Sequence, residues 1–411
     1  MPDLIRADIT IIGAGPSGAT AAISLAKRGI PVLLIDTHQF PRPKICGDGL
    51  SGKVVTNLKR LDASYVAELQ NSAIATASLA ARFSSPNRKM MELSFHTDDP
   101  AIPPGFICRR VDFDHFLLNK ALAFKETTFL GGVQVTGLER KEDCIRITDA
   151  EDKLAIETRL VLFAAGADRK LIRQLDPSFP DPTEEGIGVR AYFDRVTGSD
   201  HKHAIEIHFL KELLPWYFWI FPFADGSANV GLALPESIAK RKSMSLKELM
   251  FKLIRSYPDL KTRFPVEITD VKTEAARLAY YNGPCPVAGN RYLLLGDAAR
   301  LIDPFTGEGI GNAMVSGRYA AEIASACIAK GDFSGNITQE YQSLINSRLG
   351  PELKLGLRLQ SLAQRQHLLN LVIGRAARSE TTRQLISEML YNQNARMKLS
   401  KPEFYIKILL G

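Results

Sequence analysis

Glycines near the N-terminus form the clearest chemical pattern in the sequence. Gly13, Gly15 and Gly18 are spaced as G-x-G-x-x-G. In this pattern the first glycine allows a tight turn, the second lets the backbone approach a pyrophosphate, and the third lets a helix pack on a strand. Pro16 suits the first turn of that helix, whose free N–H groups then face the phosphates. Asp36 is placed to accept a hydrogen bond from a ribose hydroxyl. The segment therefore predicts a dinucleotide site.

The elements around these glycines strengthen that prediction. Apolar residues 9–12 predict a strand before the glycines, and small apolar residues after them predict a helix. A second apolar strand over 32–35 ends directly at the acid. A lone G-x-G-x-x-G is weak evidence, but the strand–turn–helix context is the one that a dinucleotide site requires.

Two later segments extend the pattern. Residues 160–163 and 291–295 predict buried strands, and each is followed by a glycine next to small residues and an aspartate. Asp297, at the second of these strand ends, could meet a ribityl hydroxyl. Gly307, Gly309 and Gly311 then open a predicted helix whose N-terminus could face a flavin edge and a pyrophosphate.

An aromatic run lies between these segments. Residues 187–234 are rich in strand formers and predict a second sheet, which contains Tyr217, Trp219 and Phe221 at alternate positions. A flat apolar wall of this kind suits a ligand with few hydrogen-bonding groups. Periodicity alone fits an ordinary core strand equally well.

Together these motifs resemble the FAD-dependent oxidoreductases of the para-hydroxybenzoate hydroxylase type, and within them the geranylgeranyl reductase family. The resemblance covers about residues 5–330. It rests on P-K-I-C-G-D at 43–48, Arg110 four residues before Asp114, G-D-A-A at 296–299, P-F-T-G-E-G-I at 304–310, and Tyr217-x-Trp219-x-Phe221-Pro222 followed by Gly231-x-Ala233.

The resemblance implies an α/β fold with a Rossmann-like FAD-binding domain of the GR2 type, an inserted antiparallel-sheet substrate domain and a C-terminal helical region. We assign residues 1–175 and 281–330 to the FAD-binding domain, with some strands of the substrate domain near 72–104. Residues 176–280 are assigned to the substrate domain and 331–411 to the helical region.

The resemblance also implies an activity, which is the saturation of C=C bonds in an isoprenoid chain of the geranylgeranyl or prenyl-quinone type by hydride from reduced FAD. NAD(P)H or a reduced carrier protein would supply the electrons. The implied cofactor-binding residues are Gly13, Gly15, Pro16, Ser17, Gly18, Asp36, Cys46, Gly47, Arg110, Ala165, Gly166, Gly296, Asp297, Pro304, Gly307, Gly309 and Ile310. The implied catalytic residues are Cys46, Gly47, Tyr217 and Trp219, and the implied substrate-binding residues are Tyr217, Trp219, Phe221 and Pro222.

Other interpretations stay open at this point. A monooxygenase or halogenase of the same fold would carry W-x-W-x-I-P, where this chain has Tyr217 and Phe221 at the first Trp and the Ile positions. A prenyl-binding escort protein without FAD would have a degraded phosphate loop, whereas the glycines here are intact. Cys46 could equally be a small buried thiol without a chemical role.

Composition narrows the function classes further. The chain of 411 residues carries a net charge of +7, which suggests anionic surfaces or phosphorylated ligands, but no basic run interleaved with aromatics points to nucleic acid. Five scattered cysteines predict neither disulfides nor a zinc site and fit a cytoplasmic protein. His201, His203 and His208 are interpreted as a solvated strand face rather than a metal site.

Membrane contact is expected to be peripheral. No apolar run reaches the ~18 residues that span a bilayer. The tail over 391–410 mixes basic and apolar residues and predicts either an interfacial helix or a packing helix. The protein is therefore expected in the cytoplasm, with a peripheral position at the inner face of the membrane as an option.

Two local predictions concern helices. Asp112 is placed to cap a helix that begins after it, with Phe113, Phe116 and Leu117 on its apolar face. Residues 243–257 predict an amphipathic helix.

Overall fold

The computed structural model describes residues 3–95, 99–151, 153–241, 244–265 and 271–391. Its strands are β1 (Asp3–Ile12), β2 (Val32–Asp36), β3 (Gly49–Leu50), β4 (Ala75–Ala77), β5 (Ala80–Ser84), β6 (Met90–Ser94), β7 (Phe106–Cys108), β8 (Thr127–Gly131), β9 (Val135–Arg140), β10 (Ile145–Asp149), β11 (Leu154–Phe163), β12 (Gly186–Phe193), β13 (Ile205–His208), β14 (Phe218–Pro222), β15 (Ala228–Pro235), β16 (Thr273–Leu278), β17 (Ala288–Gly289) and β18 (Tyr292–Leu294).

The helices are α1 (Pro16–Ala26), α2 (Gly52–Leu61), α3 (Ala63–Gln70), α4 (Arg110–Leu122), α5 (Arg169–Leu175), α6 (Glu236–Lys240), α7 (Leu246–Ser256), α8 (Pro258–Lys261), α9 (Ile310–Lys330), α10 (Gly335–Arg348), α11 (Gly350–Ala363), α12 (Gln366–Ala376) and α13 (Glu380–Tyr391). A 3-10 turn spans Gly296–Ala299.

The larger sheet has eight strands in the described part of the chain, with β17-β18-β11-β1-β2-β8 as its main path and β10 and β9 joined to it through β11. The central pairs from β18 to β8 are parallel. Strand β2 and the last four residues of β1 are buried throughout, which explains why they are short apolar runs in the sequence. The predicted α/β fold class is confirmed.

The smaller sheet has seven strands among the described residues, in the order β16-β12-β15-β14-β13-β5-β6. Neighbouring strands are antiparallel except for β13 and β5, which run parallel. Strands β5 and β6 join it from the 72–104 region. Residues at alternate positions of β12, β14 and β15 pack on the apolar side of α7, so the intervening residues face the opposite way.

Helices α1 and α9 approach each other closely because of a glycine. A Cβ atom at Gly317 would lie 2.3 Å from the backbone oxygen of Ser17. The contact anchors the C-terminal helices to the first turn of α1, which carries the glycine pattern.

The predicted cap of α4 is wrong, and the correct cap comes from elsewhere in the chain. The helix begins at Arg110, so that Asp112 lies inside its first turn. The Asp48 side chain accepts a hydrogen bond from the Arg110 backbone N–H at 3.1 Å. Asp48, which lies 62 positions earlier, therefore caps the first turn of α4 in place of the local aspartate Asp112. The helix predicted over 243–257 is confirmed as α7, with Ser245 and Glu248 forming a capping box.

The interpretation of three histidines as a solvated strand face is wrong for His208. Its side chain is 2% exposed, and its Nδ1 lies 2.9 Å from Ser84 Oγ. Its Nε2 lies 3.4 Å from the buried carboxylate of Glu206, which Arg263 also binds through two hydrogen bonds. His208 therefore belongs to a buried polar cluster on the side of the sheet that packs on helices. The described residues hold no cluster of three or more candidate metal ligands.

Among the described residues, no helix combines the length and the apolarity needed to cross a bilayer. The tail predicted over 391–410 lies outside the described residues, apart from its first position at the end of α13.

Replacement of the glycine between α1 and α9 should destabilise the protein. In the Gly317→Ala variant the added Cβ meets backbone rather than a flexible side chain, so the helices must move apart. We expect a loss of about 1–3 kcal/mol in the free energy of unfolding, measured by denaturant titration. Gly335→Ala is the matched control, because nothing lies within 4 Å of its Cβ position. Equal stability of the two variants would contradict the close packing of α1 and α9.

Candidate active site

The glycine pattern forms a tight turn between β1 and α1. Gly13 has a φ of +104° and its N–H donates to the Ile35 oxygen at 2.7 Å. A Cβ at Gly18 would lie 1.9 Å from the Gly13 oxygen. Gly13 and Gly18 thus fold the turn itself, whereas Gly15 has only one side-chain atom, Arg42 Nη2 at 3.5 Å, near its Cβ position. Gly15 leaves the backbone open on the side where a pyrophosphate would lie.

A largely buried cation, Arg42, lies beside that opening. Arg42 Nε lies 3.8 Å from Asp36 Oδ1, and Arg42 Nη1 lies 3.2 Å from Asp114 Oδ2 without the geometry of a hydrogen bond within the described residues. Asp36 is 7% exposed, and it accepts hydrogen bonds from the backbone N–H groups of Ala14 and His38. A guanidinium beside a helix N-terminus and a glycine turn, with Nη2 close to Gly15, fits the phosphates of a dinucleotide.

The Gly-Asp segment after β18 meets the first turn of α1. The Gly296 N–H donates to Ser316 Oγ at 3.0 Å, and a Cβ at Gly296 would lie 3.2 Å from Ser17 Oγ. Gly296 has a φ of +58°, which favours glycine at this turn. The close approach brings Asp297 to the same cavity as the glycine turn.

One continuous cavity of about 1470 Å³ joins the predicted cofactor residues to the aromatic motif. The predicted site residues that line it are Gly13, Gly15, Pro16, Ser17, Asp36, Cys46, Gly47, Arg110, Ala165, Gly166, Tyr217, Trp219, Phe221, Asp297, Pro304, Gly307, Gly309 and Ile310. Gly18, Gly296 and Pro222 are not among the described residues that line it. The first two shape the backbone turns, and Pro222 faces the other side of β14.

Two hydrogen bonds fix the aromatic motif to the segment before α9. Trp216 Nε1 donates to the Pro304 oxygen at 2.9 Å, and the Tyr217 hydroxyl donates to the Thr306 oxygen at 2.5 Å. A Cβ at Gly307 would lie 2.9 Å from that hydroxyl. The aromatic wall and the predicted flavin-binding helix therefore hold each other in position.

The rings of Trp219 and Phe221 pack against glycines, where a larger residue would clash with them. A Cβ at Gly231, on the neighbouring strand, would lie 2.3 Å from Trp219 Cζ2. Cβ atoms at Gly47 and Gly49 would lie 3.2 and 3.1 Å from Phe221 Cε2. The tryptophan therefore lies flat on β15, and the loop after β2 lies directly on the phenylalanine.

Asn229 connects that loop to the sheet. Its Oδ1 accepts a hydrogen bond from Trp219 Nε1 at 2.9 Å, and its Nδ2 donates to the Cys46 oxygen at 2.8 Å and to Asp48 Oδ2 at 2.7 Å. Asn229 is fully buried, so each bond forms away from water and its loss would leave an unsatisfied polar group.

Asp48 is the centre of this buried network. It is 0% exposed, and Asp48 Oδ2 also accepts a hydrogen bond from the Tyr192 hydroxyl at 2.6 Å. Burial raises the pKa of Asp48 above its ordinary value of 3.8, although the hydrogen bonds from Tyr192 and Asn229 act in the opposite direction. The network joins the loop, α4 and the smaller sheet.

Cys46 lies at the junction of the two halves of the cavity. Burial raises the pKa of its thiol, while the nearby Arg110 guanidinium lowers it, and the net rise keeps the thiol protonated at neutral pH. Arg110 itself is bound by Asp114 through two hydrogen bonds, at 2.7 and 2.8 Å.

Asp48, Asn229, Tyr192 and Arg42 were missed as site residues from the sequence. Asn229 offers the one usable signal, because it is a polar residue inside the otherwise apolar strand β15. The roles of the others depend on contacts between residues that are far apart in the chain.

Comparison with known proteins agrees with this geometry. Residues 6–164 match the family model described as an FAD binding domain. The digeranylgeranylglycerophospholipid reductase of Thermoplasma acidophilum is 28% identical over 350 residues, which cover 83% of each chain. The menaquinone reductase of Mycolicibacterium smegmatis is 27% identical and covers 78% of this chain and 77% of its own.

Solved structures show the same fold. A geranylgeranyl bacteriochlorophyll reductase-like protein from Thermoplasma acidophilum aligns with a TM-score of 0.78 at 22% identity, over 97% of this chain and 100% of its own. The halogenase PltM aligns with a TM-score of 0.72 at 17% identity, over 95% of this chain and 85% of its own. The predicted likeness to geranylgeranyl reductases is confirmed, and FAD is the cofactor.

Two glycine variants should separate cofactor binding from folding. Gly15→Ala has room for its Cβ in the protein but fills the approach to the pyrophosphate, so we expect loss of bound FAD with unfolding of the apoprotein changed by less than about 0.5–1 kcal/mol. Gly18→Ala clashes with the backbone of the turn and should lower the apoprotein's unfolding free energy by at least about 1–3 kcal/mol. Flavin absorbance and denaturant titration measure the two effects. Retention of FAD by Gly15→Ala would contradict the assignment.

Asp48→Asn should change how stability depends on pH. Because the folded protein raises this pKa, the wild type loses stability as pH rises from about 3.8 through the raised value. The unfolding free energy of the variant minus that of the wild type should therefore increase across that window and then level off. Asp62→Asn is the control, since capping of α3 lowers the pKa of Asp62 and the corresponding difference should fall with rising pH. A flat difference for Asp48→Asn would contradict its desolvation.

Proposed function

We propose that this protein is an FAD-dependent reductase that saturates C=C bonds in an isoprenoid chain. The observation that carries the proposal is the single cavity shared by the flavin-binding residues and the aromatic wall. The names of the relatives in Thermoplasma and Mycolicibacterium support it, since both denote reductases and the former specifies a geranylgeranyl phospholipid. When bound, the reduced flavin supplies the hydride.

The chain supplies a long apolar surface for the isoprenoid. Beyond Tyr217 the lining continues with Ile207 on β13, Phe209 just after that strand and Phe83 on β5. The rings of Phe209 and Tyr217 meet edge to face at 6.0 Å, and Phe305 stacks on Phe209 at 6.2 Å. A polyisoprene offers almost no hydrogen-bonding groups, so binding to such a surface depends on burial of apolar area.

Cys46 is the residue that we propose as the proton donor. Cys46, Tyr217 and Tyr280 are protic side chains that line the cavity at the aromatic motif, and burial raises the pKa of all three. The Tyr217 proton is already donated to the Thr306 oxygen. The Arg110 side chain donates a hydrogen bond to Cys46 Sγ. The thiol proton of Cys46 therefore stays available for transfer to the second carbon of the double bond.

The electron donor and the location complete the proposal. Only one dinucleotide fingerprint is present in the sequence, so NAD(P)H or a reduced carrier protein would dock transiently. We place the protein in the cytoplasm at the inner face of the membrane, where an isoprenoid lipid is accessible, and the net charge of +7 favours contact with anionic lipids.

An anaerobic experiment tests the reaction directly. The purified holoenzyme is reduced with dithionite and mixed with geranylgeranyl diphosphate, geranylgeraniol, a geranylgeranyl phospholipid or a menaquinone, with oxygen excluded. We expect the oxidised flavin spectrum to return with at least one of them, and a product heavier by two hydrogen atoms for each bond reduced. Reoxidation only after oxygen is admitted, with an oxygenated or halogenated product, would favour the oxygenase or halogenase interpretation. A colourless protein that binds the lipid would favour the escort.

Cys46→Ala should slow this single turnover without loss of FAD. General acid catalysis commonly contributes ~10²–10⁴ in rate, so we expect a decrease of about 100-fold or more, with partial recovery in Cys46→Ser. Cys144→Ala is the matched control, because Cys144 is not among the residues that line the cavity. An unchanged rate for Cys46→Ala would exclude the thiol as proton donor.

A further inference from the structure

One side of helix α12 packs next to the apolar part of the cavity. Leu369, Ile373 and Ala376 recur at positions i, i+4 and i+7, which places them on one face of the helix. They belong to the same hydrophobic cluster as Phe209 and Ile207, and both of these residues line the cavity. Helix α12 is therefore the element that covers this part of the cavity lining from behind.

A second apolar stripe follows the other side of α12. Leu368, Leu371, Val372 and Arg375 stand at positions i, i+3, i+4 and i+7, so they share a face that is turned away from the first one. Leu371 is 37% exposed, and Leu368 and Val372 are half-buried. These three apolar side chains belong to none of the hydrophobic clusters of the described residues. A helix face that meets only water normally carries polar residues instead.

The chain on both sides of this stripe is basic and lacks acids. Residues 353–379 contain five Lys and Arg residues and no Asp or Glu. The acids that flank this stretch are already paired, Glu352 with Lys53 and Glu380 with Arg383. Across the described ranges, no carboxylate lies within ion-pair distance of four exposed basic side chains in the stretch, which are Lys354, Arg358, Arg365 and Arg378. Their charge is therefore available to attract an anionic partner.

We propose that the outward face of α12 is the surface through which the protein binds a bilayer that contains anionic lipids. A bilayer is the partner of choice because leucines and arginines occur together on and around this face. Leucine side chains enter the boundary between acyl chains and headgroups, and arginines bind the phosphates of anionic lipids. The use of this contact to supply an isoprenoid lipid rests on the proposed function, since α12 packs next to the apolar part of the cavity.

Vesicle binding tests this surface without any turnover. The full-length holoenzyme is mixed with vesicles of phosphatidylcholine, either alone or with phosphatidylglycerol, and the bound fraction is measured by flotation. We expect binding to the mixed vesicles to be at least about tenfold tighter, and this preference to shrink as salt is added. Amide hydrogen exchange over 366–376 should become slower when the mixed vesicles are present.

Two double variants separate the apolar and the basic contributions. Leu368→Gln with Leu371→Gln removes two apolar side chains from the outward face of α12, and Arg365→Gln with Arg378→Gln removes two exposed charges next to it. We expect each pair of substitutions to weaken binding to the mixed vesicles at least about tenfold. Reduction of a detergent-dispersed isoprenoid should be unchanged in both, because none of the four residues lines the cavity.

Matched controls come from exposed residues elsewhere on the protein. Leu4→Gln with Leu122→Gln replaces two leucines that are 45% and 41% exposed. Lys252→Gln with Arg255→Gln removes two exposed charges from α7. Both control variants should bind the mixed vesicles as the wild type does.

The outcomes separate this proposal from the proposed function. If the wild type does not bind the mixed vesicles, or the α12 variants bind them as the controls do, the membrane proposal is wrong, even when an isoprenoid is reduced. If binding depends on α12 but no isoprenoid reoxidises the reduced flavin, the membrane proposal stands and the reductase proposal fails. If the wild type ignores vesicles and forms a dimer that Leu368→Gln with Leu371→Gln separates, the face joins two copies of the chain and the membrane proposal is overturned.

Discussion

The buried carboxylate of Asp48 is the interaction on which the site depends. One oxygen caps the first turn of α4, and the other accepts hydrogen bonds from Tyr192 and Asn229 of the smaller sheet. A carboxylate with no exposure is costly unless its partners are in place. Because these partners come from separate parts of the chain, the loop that carries Cys46 can take its position only when both halves of the molecule have come together.

As a consequence, the Cys46 loop and the aromatic motif together form one wall of the site. The same loop contacts Phe221 through Gly47 and Gly49, and the aromatic motif is tied through Tyr217 to the segment before α9. Residues that would hold FAD and residues that would hold an isoprenoid therefore position each other.

Much of this architecture was predictable, since it depends on local patterns. The glycine turn, the apolar parallel strands and the alternation of aromatic residues over 217–221 follow from spacing and residue type. The cap of α4 was not predictable, because Asp112 offered a local candidate while the actual acceptor lies 62 residues earlier. The burial of His208 was also missed, since its partners Ser84 and Arg88 come from a separate segment, at the end of β5 and beyond it. Long-range polar contacts have no periodic signature.

The most direct test of the shared cavity is a crystal structure of the holoenzyme with a geranylgeranyl compound bound. We expect one double bond to contact the flavin ring beside Cys46, while the chain lies along Trp219 and continues over Phe209. An isoprenoid bound outside the cavity, or within it but separated from the flavin by the Cys46 loop, would contradict the account.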